Sequence, residues 1–218
     1  MELTIKICGI TRLDDALDAV ALGADALGFM FYARSSRHIS VEAAAAICRE
    51  LPRLVLRVGV FVDAPLAEIE AAATACGLNL VQLHGAETPE FCDQVKGVPV
   101  VKAFRVSDAR SLETLPLYRT AWWLLDSYVP GALGGTGCSF NWSLAEAAHR
   151  LGTPFWLAGG LTPENVGEAI RQARPDGVDV SSGVESAPGR KDHGKMKAFI
   201  EAARRAATVL KQEGLVKS

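Results

Sequence analysis

The sequence lacks any apolar run that approaches the ~20 consecutive residues needed to span a bilayer, although 49% of its 218 residues are hydrophobic. Residues 1–6 also lack the charged lead and apolar segment of a secretion signal. These absences argue against a membrane protein and against an exported one. We therefore expect a cytoplasmic location.

Paired cysteines are missing as well. Five cysteines are present, odd in number and without a CxxC pair: Cys8, Cys48, Cys76, Cys92 and Cys138. Disulfides are uncommon in the reducing cytoplasm. We therefore expect free thiols.

No excess of one charge exists, because 23 lysines and arginines nearly balance 25 acidic residues. The net charge of -2 and the lack of a basic stripe argue against nucleic-acid binding. HExxH and tight carboxylate clusters are absent, so we expect no catalytic metal. The GxSxG elbow of hydrolases and the GxGxxG and GxxxxGKS/T nucleotide motifs are absent too.

The sequence does contain a regular alternation of apolar runs and segments of helical periodicity. The apolar runs predict strands at residues 4–8, 26–31, 56–62, 80–84, 98–104, 121–126, 155–158 and 178–181. The segments between them predict helices at 13–22, 41–51, 66–76, 89–95, 144–151, 163–173 and 195–210, with a weaker short helix at 109–115. Strands that are apolar throughout are typical of parallel sheets buried on both faces. Eight such units predict a single (β/α)8 TIM barrel over residues 1–218, with an open doubly wound sheet as the alternative.

Capping residues mark four of the helix starts. Ser40 precedes the second helix, and prolines closely follow Asp63, Thr88 and Thr162. A polar N-cap followed by proline in the first turn is a helix-initiation signal. We therefore expect caps at these four positions.

Polar residues at the carboxyl ends of the strands are the candidates for chemistry, because (β/α)8 barrels place their active sites there. The first strand ends with Lys6 and Cys8 on one face, the fourth carries Gln82 and His84 on one face, and the sixth ends at Asp126. A nearby cation lowers a thiol pKa, so we predict that Lys6 activates Cys8. The alternatives are a core cysteine, a hydrogen-bonded core histidine and an aspartate in a cap or a structural ion pair.

Small residues follow the last two predicted strands. Gly159 and Gly160 follow the seventh strand, while Ser182 and Gly183 follow the eighth, which carries Asp179. Glycine-rich loops at helix N-termini bind anions, and barrels often bind phosphate between these two loops. We predict a phosphate site here, with ligand-free glycine turns as the alternative.

Two further loops carry candidate binding residues. Residues 134–137, with the sequence GGTG, predict a lid or a second anion-binding nest. Arg34 and Arg37 follow the second strand and are either solvated or a clamp for a carboxylate or phosphate.

Six segments occur in a fixed order: KICGIT at 6–11, VQLHG at 81–85, LLD at 124–126, LAGGL at 157–161, DVSSGVE at 179–185 and PGRKD at 188–192. Together they closely resemble the phosphoribosylanthranilate isomerase family of tryptophan biosynthesis. The similarity covers essentially the whole chain, and KICGIT and SSGVE are specific to that family.

The resemblance implies an Amadori rearrangement of N-(5-phosphoribosyl)anthranilate to 1-(2-carboxyphenylamino)-1-deoxyribulose 5-phosphate, with no metal or organic cofactor. It implies Cys8 as the general base, Asp126 as the general acid and Arg37 as the clamp for the anthranilate carboxylate, with Arg34 as a nearby second arginine. We assign further substrate contacts to Lys6, Gln82, His84 and Asp179, and phosphate contacts to Gly159, Gly160, Ser182 and Gly183.

Other functions stay open at this point. A pentulose-phosphate epimerase would need a metal held by histidine and aspartate, and the related histidine-pathway isomerases favour two aspartates over a cysteine. A phosphate-ligand-binding protein without catalysis is a third alternative. The partner expected in each case is a small phosphorylated molecule, and the sequence leaves open a monomer or a homodimer.

Overall fold

Eight parallel strands close into a barrel in the computed structural model, which describes residues 3–126 and 143–214. Each strand pairs with the next, and the last pairs with the first through Lys6 and Asp179. The strands are β1 (Thr4–Cys8), β2 (Ala26–Met30), β3 (Leu56–Phe61), β4 (Leu80–Leu83), β5 (Val100–Arg105), β6 (Trp122–Asp126), β7 (Phe155–Ala158) and β8 (Gly177–Val180). The predicted (β/α)8 barrel is confirmed, and the closing pair of strands excludes the open sheet. That residues 1–218 form one domain stays a prediction.

Helices connect the strands. Those in the described residues are α1 (Leu13–Ala21), α2 (Val41–Glu50), α3 (Leu66–Cys76), α4 (Pro89–Cys92), α5 (Ser143–His149), α6 (Val166–Ala173) and α7 (His193–Gln212). A 3-10 turn (Ser182–Val184) and a small hairpin, β9 (Glu185–Ala187) with β10 (Arg190–Lys191), follow β8. Within the two described ranges, none of the helices has the length and apolar content required to cross a membrane.

The predicted helix at 109–115 is wrong in type. Residues Ala109–Leu112 form a 3-10 turn that Asp108 caps, and a second 3-10 turn covers Leu115–Leu117. Pro116 lies in the first turn of this second segment, where proline is tolerated, but in one continuous α-helix from Ala109 it would lack a hydrogen bond and clash with the preceding turn. The segment therefore breaks into two short turns.

Two of the four predicted caps are confirmed. Ser40 and Thr88 each accept a hydrogen bond from the backbone N–H three residues ahead, at 3.2 and 3.3 Å. The Asp63 side chain instead accepts a hydrogen bond at 2.6 Å from the backbone N–H of Ala86, in the loop after β4. Helix α3 therefore begins without a side-chain cap. Thr162 does not begin a helix, because the Asn165 side chain accepts from its N–H at 2.8 Å and holds this segment in a turn.

Apolar side chains fill the barrel interior below the carboxyl ends of the strands. Leu80, Leu124 and Trp156 belong to this inner cluster, and each precedes a residue at the barrel mouth by two positions. Gly177 on β8 makes room for the Trp156 ring, because a Cβ there would lie 2.6 Å from the indole Cδ1. Side chains on one face of a strand recur every two residues, so the residues two positions after these form the next layer of the barrel. That layer contains the polar residues of the barrel mouth.

A buried ion pair outside the barrel fixes the loops after β3 and β4. Lys102 on β5 donates to Glu87 Oε2 at 2.9 Å and to the carbonyl oxygens of Leu83 and Gly85 at 3.2 and 2.8 Å. Glu87 also accepts from the backbone N–H of Asp63 at 2.9 Å. Both side chains are almost fully buried. The pair therefore ties together two loops that border the barrel mouth.

Lys102→Met should lower the free energy of unfolding by about 3–5 kcal/mol, because it leaves the Glu87 carboxylate buried without its cation. Urea unfolding followed by circular dichroism measures this change. Arg171→Gln, which breaks a half-exposed pair with Glu168, is the matched control and should cost less than about 1 kcal/mol. Equal losses in the two variants would contradict a fixing role for the buried pair.

Candidate active site

A cavity of about 240 Å³ opens at the carboxyl ends of the strands. It contains nine of the eleven predicted site residues: Cys8, Arg37, Gln82, His84, Asp126, Gly159, Gly160, Asp179 and Ser182. The other two, Lys6 and Gly183, do not line it. Residues from strands on all sides of the barrel therefore converge on one polar pocket, although they are far apart in the sequence.

Lys6 lies below the cavity floor rather than in it. Its side chain is fully buried and donates to Gln82 Oε1 at 2.8 Å and to Asp179 Oδ1 at 3.0 Å. Burial lowers the pKa of Lys6, but the Asp179 carboxylate and the Cys8 side chain outweigh burial, so the net pKa is raised. Lys6 is therefore a buried cation, paired with Asp179, beneath Cys8.

Cys8 lies at the cavity end of β1, directly beside Gly28 of β2. Burial raises the pKa of the Cys8 thiol most strongly, Lys6 lowers it, Asp179 raises it and Lys191 lowers it, with a net increase. The predicted effect of Lys6 therefore has the expected sign, but the net pKa moves the other way because the thiol is buried. A Cβ at position 28 would lie 2.7 Å from Cys8 Sγ, so glycine at this position makes room for the sulfur.

His84 and Asp126 both line the cavity and contact each other. His84 Nδ1 lies 2.8 Å from Gln82 Nε2, and His84 Nε2 lies 3.3 Å from Asp126 Oδ2. The His84 and Asp126 side chains are 24% and 17% exposed, which leaves both accessible from the cavity. A continuous series of polar side chains therefore runs from Lys6 to Asp126.

Arg37 reaches the cavity in a fixed orientation, because Glu185 holds it. Its Nε and Nη2 donate to the two Glu185 carboxylate oxygens at 2.8 and 2.6 Å. Burial raises the pKa of Glu185, but hydrogen bonds from Arg37 and Lys191 outweigh burial and lower the net pKa. Gly9, with φ +78°, makes room for Arg37, since a Cβ there would lie 2.6 Å from its Cδ. Arg34 is exposed and does not line the cavity.

Sequence reasoning missed Glu185 and Lys191 as parts of this site. The buried Lys191 ammonium donates to Glu185 Oε1 at 2.9 Å and to the backbone carbonyl of Cys8. It therefore connects the end of β1 to the hairpin after β8. Glu185 ends the SSGVE segment and Lys191 lies in the PGRKD segment, but their spacing in the chain does not reveal which partners they contact.

The loops after β7 and β8 form one side of the cavity. Gly159 and Gly160 have φ values of +90° and +62°, a backbone conformation that favours glycine. Gly183 allows the two loops to touch, because a Cβ there would overlap the carbonyl oxygen of Leu161. Ser181 Oγ is buried at this wall without a hydrogen-bond partner in the described residues. Like Glu185 and Lys191, Ser181 is not among the predicted site residues, and its hydroxyl suits an anionic ligand.

Residues 3–126 and 143–214 contain no group of three His, Cys, Asp or Glu side chains placed to hold a metal ion. The predicted lid at 134–137 lies outside the described residues.

A polar cavity at the carboxyl ends of a closed eight-stranded barrel defines the class of (β/α)8-barrel enzymes. The family model for N-(5'phosphoribosyl)anthranilate (PRA) isomerase matches residues 5–202. This chain belongs to that family, as its sequence segments predicted.

Individual relatives agree with this assignment. The N-(5'-phosphoribosyl)anthranilate isomerase of Geobacter sulfurreducens is 56% identical over 200 residues, which cover 92% of this chain and 98% of the relative. A crystal structure of the Thermotoga maritima isomerase is 48% identical with a TM-score of 0.89, and covers 93% of this chain and 99% of that one. A structure of the isomerase in complex with reduced 1-(o-carboxyphenylamino)-1-deoxyribulose 5-phosphate is 46% identical with a TM-score of 0.85, at the same coverage.

Substitutions of Lys6 and Asp179 should move the pKa of Cys8 in opposite directions. Lys6→Met removes a cation that favours the thiolate, so the pKa rises and alkylation by iodoacetamide at about pH 8 slows. Asp179→Asn removes an anion that disfavours the thiolate, so the pKa falls and alkylation accelerates.

Mass spectrometry of the Cys8 peptide measures both rates across a pH series. Cys92, whose pKa burial raises to about 11, serves as the internal control in each digest. A change in the same direction for both variants would contradict the electrostatic account of Cys8.

Proposed function

We propose that this chain converts N-(5'-phosphoribosyl)anthranilate to 1-(2-carboxyphenylamino)-1-deoxyribulose 5-phosphate, with Asp126 as the general acid and Cys8 as the general base. The observation that carries the proposal is that a thiol and a carboxyl group line one cavity, with glycine-containing loops on the side between their strands. Around the barrel, β7 and β8 lie between β6, which ends at Asp126, and β1, which ends at Cys8. A phosphate bound by the loops after β7 and β8 therefore places its sugar within reach of both side chains.

Two anionic groups of the substrate fit two features of the cavity. The 5'-phosphate fits the loops after β7 and β8, where Gly159, Gly160 and Ser182 line the wall and Gly183 brings the loops together. The anthranilate carboxylate fits Arg37, because Glu185 occupies the Nε and Nη2 side of the guanidinium and leaves Nη1 for a ligand. Fixing both ends of the substrate orients the ribose for reaction.

The reaction begins with proton transfer from Asp126 to the furanose ring oxygen. The C1–O bond then breaks, and the nitrogen lone pair forms a C=N bond at C1. This Schiff base acidifies the proton at C2. The ring oxygen leaves as a hydroxyl group, and Asp126 becomes a carboxylate.

The second step is removal of the C2 proton by the Cys8 thiolate. The electron pair of the C2–H bond forms the C1=C2 bond and neutralises the iminium nitrogen. The resulting enolamine tautomerises to the ketone product. Burial makes Cys8 a stronger base once ionised, and Lys6 supplies nearby positive charge that favours the ionised form. Gln82, His84 and Asp179 line the same cavity as Cys8 and Asp126.

The free thiol of Cys8 suits the reducing cytoplasm, where we place the enzyme as a monomer or a homodimer. A histidine-pathway isomerase is disfavoured, since the first strand carries Cys8 whereas those enzymes favour a pair of aspartates. A pentulose-phosphate epimerase would need a metal held by histidine and aspartate. An assay with and without chelator separates the metal-dependent alternative.

Cys8→Ala and Asp126→Asn should each reduce kcat by about 10²–10⁴-fold, because each removes one proton-transfer group. The measurement is loss of anthranilate-type fluorescence with freshly prepared substrate. Cys92→Ala at the end of α4 and Asp93→Asn at its C-cap, both away from the cavity, are matched controls that should retain activity. Full activity in both catalytic-site variants would remove the proposed mechanism.

Arg37→Met should raise KM about 10- to 100-fold with a smaller effect on kcat, because a charged hydrogen bond to the substrate carboxylate is lost. Arg34→Met is the matched control, since Arg34 is exposed and outside the cavity. An equal rise of KM in both variants would reject Arg37 as the specific clamp.

A further inference from the structure

Five polar side chains form a continuous hydrogen-bonded series beneath and across the cavity. Asp179 accepts from Lys6 at 3.0 Å, Lys6 donates to Gln82 at 2.8 Å, and Gln82 lies 2.8 Å from His84. His84 in turn lies 3.3 Å from Asp126. The series therefore links the cation beneath the proposed base to the proposed acid.

The orientation of the Gln82 amide follows from the chemistry of Lys6. An ammonium group donates hydrogen bonds and cannot accept them. The atom of Gln82 that lies 2.8 Å from Lys6 Nζ must therefore be the carbonyl oxygen. Since Lys6 and Gln82 are both buried, water cannot readily replace this contact. The amide nitrogen of Gln82 consequently points at His84.

The orientation of Gln82 in turn selects the tautomer of His84. The Gln82 NH2 group can only donate, so His84 Nδ1 must accept and carry no proton. A neutral imidazole then carries its proton on Nε2, which faces Asp126 Oδ2. Protonation of Nδ1 would place an N–H group against the N–H groups of Gln82 and lose this hydrogen bond.

We propose that Gln82 and His84 are positioning residues that orient the acid of the reaction. Gln82 holds His84 in the Nε2–H tautomer, and His84 keeps Asp126 Oδ2 as a hydrogen-bond acceptor. The transferable proton of Asp126 then belongs to Oδ1. When Asp126 has given up that proton, the same His84 N–H stabilises the carboxylate. This assignment rests on the proposed function for the identity of the acid, and it gives His84 no proton-donor role of its own.

Nitrogen-15 NMR of the imidazole rings in the full-length protein tests the tautomer directly. The chain has four histidines, and the His84 resonances are identified by their loss in His84→Gln. The expected result is an unprotonated Nδ1 and a protonated Nε2. In Gln82→Glu, a carboxylate replaces the NH2 group, so we expect a proton on Nδ1. Gln94→Glu, an exposed glutamine outside the cavity, is the matched control and should leave the tautomer unchanged.

A protonated Nδ1 in the wild-type protein overturns the inference, and so does an unchanged tautomer in Gln82→Glu. If Gln82→Glu fails to fold, the wild-type spectrum still decides, and Gln82→Met supplies a neutral variant of similar length. Gln82→Met should show a mixture of the two tautomers, and retention of the single Nε2–H form would overturn the role of Gln82.

Kinetics separate this inference from the proposed function. Gln82→Glu should reduce kcat by about 100-fold with little change in KM, because the acid is misoriented while the binding groups are intact. His84→Gln, which retains an N–H donor at the place of Nε2, should retain more activity than His84→Leu. Equal activities of these two variants would overturn the role of His84. Full activity of Asp126→Asn would instead remove the proposed function and leave the tautomer result standing.

Discussion

The buried ammonium of Lys6 is the interaction on which the rest of the site depends. A charge without solvent is costly unless acceptors surround it, and β4 and β8 supply those acceptors as Gln82 and Asp179. These contacts fix the polar layer at one depth in the barrel. Two residues further along β1, the cavity begins with Cys8, whose ionised form the same cation favours.

Two ion-pair clusters outside this layer hold the loops that complete the site. Lys102 and Glu87 fix the loops after β3 and β4, while Lys191 and Glu185 connect the end of β1 with the hairpin after β8. In both clusters the lysine is nearly fully buried and also donates to backbone carbonyl groups. The barrel therefore positions the proposed acid and base on strands, and buried charges outside the barrel fix the loops that border the cavity.

The sequence predicted those features that depend on local periodicity. Strand positions, parallel order and the inward direction of Cys8 and Gln82 follow from apolar runs and a two-residue repeat. Two of its errors lie where side chains compete with helix caps, as with Asp63, which binds the neighbouring loop, and Asn165, which delays the start of α6.

Contacts between distant residues could not be predicted in the same way. Arg37 and Glu185 are 148 residues apart, and no pattern in the chain specifies that they pair. The depth of Lys6 depends on the register of β1 against β8, which places it below the cavity rather than in it. The net pKa of Cys8 depends on burial, which outweighs the effect of Lys6 that the sequence indicated.

A crystal structure of this chain with reduced 1-(o-carboxyphenylamino)-1-deoxyribulose 5-phosphate would test the central claim most directly. The account predicts Cys8 Sγ within about 3.5 Å of the sugar C2, the Asp126 carboxyl group at the oxygen derived from the furanose ring, and the phosphate on the loops after β7 and β8. A ligand bound with its phosphate elsewhere, or with C2 and the former ring oxygen turned away from these two side chains, would contradict it.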